Sequence, residues 1–335
     1  MSYLRLLLLP FSLLYLIILG IRNLLFNIGI FKSQRFNIPV ISVGNITTGG
    51  TGKTPMVIYL TYYLISKGKS VGVISRGYKS NSKELVIAYD GHSVISDINS
   101  TGDELAMIVN RFRGSSKFYA IAYHNRVKAI DLMITKFSPD VIILDDAFQN
   151  KWIKKELDIV MIDKEDKSIL RFIVLPAGNL RETKISLRRA DIIFNNFKFN
   201  KPGSLNIKGT NNIEYSYSGF FDFKGDKAIF ANNKKAILIS GIASNNSFSN
   251  AVSMHDIYIY KTYNLSDHYN YSSADIAKYK KEYNDDIIFL TTEKDFIKIR
   301  EFEDFIFNYP VYFLRIDVIL DNIYLDNILI EKGII

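Results

Sequence analysis

From Leu6 to Ile21 the chain carries no charge and is dominated by Leu, Ile, Phe and Tyr, with Arg5 and Arg22 closing the stretch at either end. As a helix this stretch is about 24 Å long, short of the roughly 30 Å hydrocarbon core of a bilayer. Apolar residues resume at Leu24, Leu25, Phe26, Ile28, Ile30 and Phe31, broken by Arg22, Asn23 and Asn27. Arg5, Arg22, Lys32 and Arg35 stand where anionic headgroups would meet them. The pattern predicts a helix inserted into one leaflet. Three other readings stand beside it: a short transmembrane helix, a buried core helix, and a cleaved signal peptide, for which no small-x-small site follows.

Beyond residue 34 the pattern changes to short apolar runs alternating with helix-like periodicity. Strands are expected near 38–43, 70–75, 117–122, 140–145, 157–162 and 190–195, with helices between most of them. That alternation predicts an α/β fold with a mainly parallel sheet flanked by helices. Residues 201–233 are rich in Asn, Gly, Lys and Tyr and lack helical periodicity. They read as a linker with short antiparallel strands. An α/β pattern restarts at 234, with strands at 236–239, 257–260 and 287–291 and helices near 246–254 and 273–283. The expected organisation is a membrane-associating helix at 1–34, a P-loop nucleotide-binding domain at 35–200, the linker at 201–233 and a smaller α/β lobe at 234–335.

The chain has 335 residues, 48% of them hydrophobic, enough for a substantial core. It contains no cysteine, which excludes disulfides, thiolate metal sites and cysteine nucleophiles. The formal net charge of +8 suits an anionic partner, and equally a plain soluble surface. No run of five or six like charges occurs, so a basic nucleic-acid tail is not expected.

The strongest local signal lies between 37 and 66. Asn37 to Val43 reads as a buried strand, then comes Gly44-Asn-Ile-Thr-Thr-Gly-Gly-Thr-Gly-Lys-Thr-Pro55, and Val57 to Ser66 has helical periodicity. Strand, Gly-rich loop, Lys-Thr and helix are the context of a P-loop. Thr47, Thr48, Gly49, Gly50, Thr51 and Gly52 would turn backbone N–H groups toward the phosphates of ATP. Lys53 would reach the β- and γ-phosphates, and Thr54 would offer a hydroxyl to Mg²⁺. Thr47 stands where the strict pattern has glycine. A second short apolar run ends in Asp145 and Asp146. In a doubly wound sheet ligands gather at the carboxyl ends of strands, so one of these two carboxylates is expected at the metal. Adjacent strand residues point to opposite faces, which leaves open which of them.

These blocks resemble the lipid A 4'-kinase family, whose loop also carries a hydroxyl residue at the Thr47 position. The resemblance continues in order through Ser75-Arg-Gly-Tyr78, Gly102-Asp-Glu104, Asn125-Arg126, Leu144-Asp-Asp-Ala-Phe-Gln149, Leu175-Pro-Ala-Gly-Asn-Leu-Arg-Glu182, Asp267-His268 and Thr292-Glu-Lys-Asp295. It implies transfer of the γ-phosphate of ATP to the 4'-hydroxyl of a tetraacylated glucosamine disaccharide 1-phosphate, giving lipid IVA. It also implies a place at the cytoplasmic leaflet of the inner membrane of a Gram-negative bacterium. The chain departs from the family pattern at Asn125, Ala147, Asn150, Asn246 and Tyr269.

The resemblance implies that Asp103 and His268 act as a base pair on the acceptor hydroxyl. Read alone, Asp103 is a carboxylate in the first turn of a helix. Arg181 would stabilise charge on the transferring phosphoryl group, and Glu182 would help hold Mg²⁺. Lys184, Arg188 and Arg189 continue at near-helical spacing, as a solvated basic face or as contacts to headgroups or the substrate 1-phosphate. A rival reading is a membrane-associated switch ATPase of the positioning type, which shares GGxGKT and a membrane-binding segment. Such proteins have a lysine before the two glycines, where this chain has Thr48.

Overall fold

The structure is a computed structural model, and it describes residues 3–77, 82–163, 169–196, 211–230, 233–242 and 245–335. Tyr78 and, of the expected linker, residues 201–210, 231 and 232 lie outside the described residues. The strands are β1 (Val40–Asn45), β2 (Val71–Ser75), β3 (Val86–Tyr89), β4 (Phe118–Ala122), β5 (Val141–Asp145), β6 (Leu157–Asp163), β7 (Ile192–Asn196), β8 (Asn211–Phe221), β9 (Lys227–Ala228), β10 (Lys235–Ser240), β11 (Tyr258–Asn264), β12 (Ile287–Thr292) and β13 (Val311–Ile319). The helices are α1 (Leu9–Asn27), α2 (Lys53–Ser66), α3 (Ile98–Thr101), α4 (Asp103–Arg111), α5 (Arg126–Phe137), α6 (Asn245–Ser253), α7 (Ser273–Lys280), α8 (Glu293–Ile299), α9 (Glu303–Asn308) and α10 (Asn322–Glu331).

All the strands join one 13-stranded sheet in the order β11-β10-β12-β13-β8-β7-β6-β1-β5-β2-β4-β3, with β9 on β8. Pairing is parallel except at β3–β4, β8–β13 and β8–β9. The mainly parallel α/β architecture read from the sequence is therefore present. Strand β8 pairs in parallel with β7 at its start and antiparallel with β13 over the rest. It is a single strand of 11 residues where the sequence suggested short ones. Ile213-Glu-Tyr-Ser-Tyr-Ser218 does alternate, but the partner that sets the strand's full length, β13, lies about a hundred residues on.

The six strands expected up to residue 195 all form, and their residues alternate between two cores. Val141 and Ile143 of β5 pack with α2 and α4 residues such as Leu60 and Ile108 on one face. Ile142 and Leu144 pack with Ala129, Ile130 and Met133 of α5 on the other. That two-sided burial is what a central parallel strand demands. Around β10 and β12 the same pattern repeats, with Ile237 and Phe289 facing α7, α8 and α9 residues and Leu238 and Ile288 facing α6. Helix α10 returns across the molecule: Leu325 and Leu329 join the core that holds α2, and Lys67 pairs with Asp326 at 2.9 Å.

Helix α1 is apolar and largely uncovered, with Phe11, Leu13, Ile17, Ile21 and Leu24 all exposed. Together with the turn before it, from Leu4 to Asn27, it is long and apolar enough to cross a membrane. Ser12, Tyr15, Leu19 and Arg22 recur at helical spacing on the face turned to the protein: Ser12 and Leu19 are buried, while Tyr15 and Arg22 bond residues of the 174–189 region.

Candidate functional site

The parallel pairing of β1 with β5 sets Val43 beside Asp145. The strand that feeds the Gly-rich loop and the strand that ends in two carboxylates therefore finish at the same sheet edge. Helix α2 begins at Lys53, with Gly52 at its N-cap in the left-handed region at φ 81°. A Cβ on Gly52 would stand 2.1 Å from the Tyr215 hydroxyl and 2.6 Å from Asn196 Nδ2, so both backbone angle and space require glycine there. Asn196 Nδ2 donates to the Thr51 carbonyl at 2.8 Å, and Asn45 Nδ2 donates to Thr51 Oγ1 at 2.9 Å. Two asparagines at strand ends thus hold the loop; nothing local in the sequence marks Asn196 for this.

Thr47 does not behave as a misplaced loop glycine. It forms an antiparallel bridge with Leu180, and on either side Arg181 N donates to the Ile46 carbonyl at 2.7 Å and Thr48 N to the Asn179 carbonyl at 2.8 Å. A β-branched residue in extended conformation suits that short ladder.

Asp146 takes φ 49°, an uncommon conformation for a non-glycine residue and one that clusters at functional sites. Its Oδ1 lies 3.5 Å from Lys53 Nζ and its Oδ2 accepts from Arg181 at 2.7 Å. Burial pushes its carboxyl up, but the Lys53 and Arg181 charges outweigh this and hold it below the ordinary carboxylate range. Asp145 differs. Burial, aided by Glu104 and Asp146, pushes its carboxyl up to about 7. Arg126 is buried behind the pair and donates to the carbonyl of Asp145 at 2.6 Å and of Asp146 at 3.2 Å. The sequence placed Arg126 in a matching block but gave it no role.

Oδ1 of Asp145 and Oδ1 of Asp146 are buried and accept no hydrogen bond among the described residues. A buried Asp145 oxygen with no hydrogen bond, beside an Asp146 oxygen that meets only Lys53 at 3.5 Å, next to a phosphate loop, fits a hard divalent cation with oxygen ligands. Glu182, the other carboxylate expected at the metal, is 1% exposed, and its two oxygens meet Arg22, at 2.6 Å, and Arg189.

The second cluster is built across the chain. His268 also has positive φ, at 61°, and its backbone N–H donates to the Gly241 carbonyl at 3.2 Å. Buried Asp295 accepts from the Gly241 N–H at 2.9 Å and from the Thr292 hydroxyl at 2.7 Å, so the Thr292–Asp295 block fixes the loop at the ends of β10 and β12. His268 Nδ1 lies 2.7 Å from Asp103 Oδ2. The same Asp103 oxygen is 3.1 Å from Lys298 Nζ and 3.8 Å from Lys294 Nζ. Burial pushes the Asp103 carboxyl up, yet the His268 hydrogen bond and the two lysine charges hold it well below the usual carboxylate range. Lys294 Nζ also stands 3.1 Å from His268 Nε2. Both lysines were missed as site residues; their spacing of one helical turn on α8 is the signal that could have found them.

These parts open on one cleft of about 990 Å³. Lys53, Asp146 and Arg181 line one side, and Asp267, His268 and Lys294 the other, with Tyr15 and Arg22 of α1 at the rim.

The family model for tetraacyldisaccharide-1-P 4'-kinase matches residues 4–333. The chain belongs to the tetraacyldisaccharide 4'-kinase family. Among its relatives, the tetraacyldisaccharide 4'-kinase of Chlorobium chlorochromatii is 33% identical over 330 residues, covering 93% of this chain and 89% of the relative. That of Aquifex aeolicus is 34% identical over 308 residues, covering 91% and 93%. A crystal structure of LpxK from Aquifex aeolicus in complex with ATP superposes with a TM-score of 0.83 at 31% identity, covering 98% of this chain and 99% of that one. Membership supports the kinase reading over the switch-ATPase one.

Proposed function

We propose that this kinase transfers the γ-phosphate of ATP to the 4'-hydroxyl of a tetraacylated glucosamine disaccharide 1-phosphate, giving lipid IVA. What carries the reading is the meeting, in a member of this family, of a phosphate loop and a buried carboxylate–histidine pair in one cleft bordered by an apolar helix. The loop 47–52, through backbone N–H groups other than that of Thr48, and the N-terminus of α2 receive the phosphates, and Lys53 neutralises their charge. Arg181 holds the transferring group from the other side of Asp146. Asp145, Asp146 and Thr54 are the residues that would hold Mg²⁺, which would supply neutralisation of phosphate charge there. Asp103 fixes His268 through Nδ1, so that Nε2 accepts the proton of the attacking hydroxyl. Lys294 Nζ, 3.1 Å from Nε2, marks the place the acceptor hydroxyl would take. The acceptor oxygen then bonds to phosphorus as the bond to ADP breaks.

The apolar face of α1 supports a place at a membrane surface, where the glycolipid acceptor would reside, and we assign the enzyme to the cytoplasmic leaflet of the inner membrane, on the side that holds ATP. Arg5 and Arg22 at the two ends of the apolar stretch both bond the 174–182 segment. A spanning helix would draw that polar loop into hydrocarbon, where its backbone groups would be costly to satisfy. No role for nucleic acid is part of this reading. The test is label transfer from γ-labelled ATP in detergent: label should appear in the lipid product only with the disaccharide 1-phosphate present. ATP hydrolysis indifferent to that acceptor would instead favour a switch ATPase.

A further inference from the structure

The segment from Val174 to Glu182 touches two parts of the molecule that the sequence treats separately. On its outer side it is bonded to α1 and the turn before it. Arg5 donates to Asn179 Oδ1 at 3.1 Å and to the Gly178 carbonyl at 2.8 Å. Ser12 Oγ is buried, donates to the Val174 carbonyl at 2.9 Å and accepts from the Ala177 N–H at 3.0 Å. The Tyr15 hydroxyl donates to the Arg181 carbonyl at 2.9 Å, and Arg22 pairs with Glu182 at 2.6 Å. On its inner side the same segment forms the short ladder with Ile46, Thr47 and Thr48, and ends in the Arg181 side chain on Asp146.

The outer contacts are not those of a helix that only anchors. An anchor needs an apolar face and nothing more specific. Here a buried serine is satisfied twice by one strap, and a nearly fully buried carboxylate is neutralised by an arginine of the helix. Arg189 holds the other oxygen of Glu182, so loss of Arg22 leaves Oε1 of a buried carboxylate without its partner, which is costly; the positions of Arg22 and Glu182 are tied. Between Glu182 and Arg181 there is one peptide bond, and between Arg181 and Lys53 there is one shared carboxylate, Asp146.

We infer that α1 is a working part of the nucleotide site: the strap 174–182 couples the seating of α1 to the phosphate loop, with Ser12, Tyr15, Arg22 and Glu182 as positioning residues for Arg181. The inference rests on the reading of Lys53, Asp146 and Arg181 as the phosphate site. It follows that loosening α1 from the strap impairs phosphoryl transfer even where membrane binding is not limiting. A displaced Arg181 costs rate because small misplacements of a charge in a reacting site cost up to about 10²-fold.

The test uses the full chain in excess detergent micelles that contain the disaccharide 1-phosphate, with four variants. Glu182→Gln and Ser12→Ala alter groups that do not line the cleft; Arg22→Met and Arg22→Lys compare loss of the charge with its retention. The expected result is a fall in kcat of about tenfold to a hundredfold for Glu182→Gln and Arg22→Met, with a higher KM for ATP and an unchanged KM for the acceptor. Ser12→Ala should show a smaller fall of the same kind, and Arg22→Lys should recover most of the loss. Wild-type kcat and ATP KM in all four variants would overturn the coupling, as would losses in vesicles that excess micelles abolish, since α1 would then be an anchor alone. Lys53→Ala is run alongside. If it is inactive while the strap variants are normal, only the coupling is lost; if it is itself active, the reading of the phosphate site is lost.

Discussion

His268 Nδ1 and Asp103 Oδ2 lie 2.7 Å apart although 165 residues separate them in the chain. The contact requires α4 and α8 to pack side by side, because Asp103 opens α4 and the His268 loop is held by Asp295 of α8. A histidine fixed through one nitrogen by an ionised carboxylate has a defined tautomer and a directed second nitrogen. If the pair acts as one base, Asp103→Ala and His268→Ala should each lower kcat by about 10²–10⁴-fold while leaving ATP affinity near wild type. The double variant should be little worse than the poorer single one, since groups that act as a unit are non-additive. Losses that simply multiply would show two independent roles.

The phosphate site gives a second expectation. Lys53→Ala should reduce transfer by about 10²-fold or more, as removing one preorganised charge partner from a reacting centre does. Asp146→Asn should be at least as damaging, because it uncouples both Lys53 and Arg181. Asp145→Asn and Asp146→Asn should both raise the Mg²⁺ concentration needed for half-maximal rate. Titration of rate against Mg²⁺ at fixed ATP is the measurement, and an unchanged midpoint would remove that residue from the metal site.

Much of this site is legible in the chain because it is local. A strand of period two, a glycine-rich turn and a helix follow one another within thirty residues, and each of those signals is carried by near neighbours. Asp145 and Asp146 become part of it through a single parallel pairing, of β1 with β5. The elements that evade the sequence are those whose reason lies far away. Strand β8 is stabilised by β13, and α10 by α2, so neither needs a strong pattern of its own. Lys294 and Lys298 carry no local sign of a site role until Asp103 is brought against them. The pairing of Glu182 with Arg22 likewise has no local sign, since Arg22 arrives from the N-terminal helix.

Asp103 also sets a pH dependence. Its folded-state carboxyl sits well below the usual carboxylate range, so it contributes stability above its unfolded pKa of about 4 and loses that contribution as pH falls through the folded value. Asp103→Asn lacks this term. The gap in unfolding free energy between wild type and Asp103→Asn should therefore be constant above about pH 5 and shrink below about pH 4. Urea unfolding across that range checks the sign; a gap that widens in acid would mean that the carboxyl is not held ionised.

The α4–α8 interface has a second tie. Arg111 of α4 is buried, donates to both oxygens of Glu293 and pairs with Asp317 of β13 at 2.8 Å. Burial pushes the Glu293 carboxyl up against the pull of Arg111. Arg111→Met would leave buried Glu293 without its hydrogen-bonded cation, while Asp317 keeps Arg315 at 3.4 Å, and should cost about 3–5 kcal/mol of stability. Arg111→Met with Glu293→Gln should recover part of that cost. A loss below about 1 kcal/mol in the single variant would place the pair among weak surface bridges, contrary to its burial.

Whether α1 lies in one leaflet or crosses the bilayer can be decided because the chain has no cysteine, so a single introduced one reports alone. Leu13 and Ile17 are about half exposed or more on the face away from Ser12 and Tyr15. Each such side chain contributes roughly 1.5–3 kcal/mol when it moves from water into hydrocarbon. Leu13→Asp combined with Ile17→Glu should lower partition into anionic vesicles by well over tenfold, while the strap contacts on the opposite face remain. Leu4→Cys, just before Arg5, marks the far end of the apolar stretch. With Arg5 bonded to Gly178 and Arg22 to Glu182, both ends of the stretch belong to the same side as the phosphate loop. In right-side-out membrane vesicles, a membrane-impermeant maleimide added outside should leave Leu4→Cys unlabelled until the membrane is permeabilised. Labelling before permeabilisation would put the first residues across the bilayer. It would also require the Arg5 contacts to break, because the segment 174–182 they join is bonded to the phosphate loop at Ile46 and Thr48 and cannot follow the helix through the hydrocarbon core.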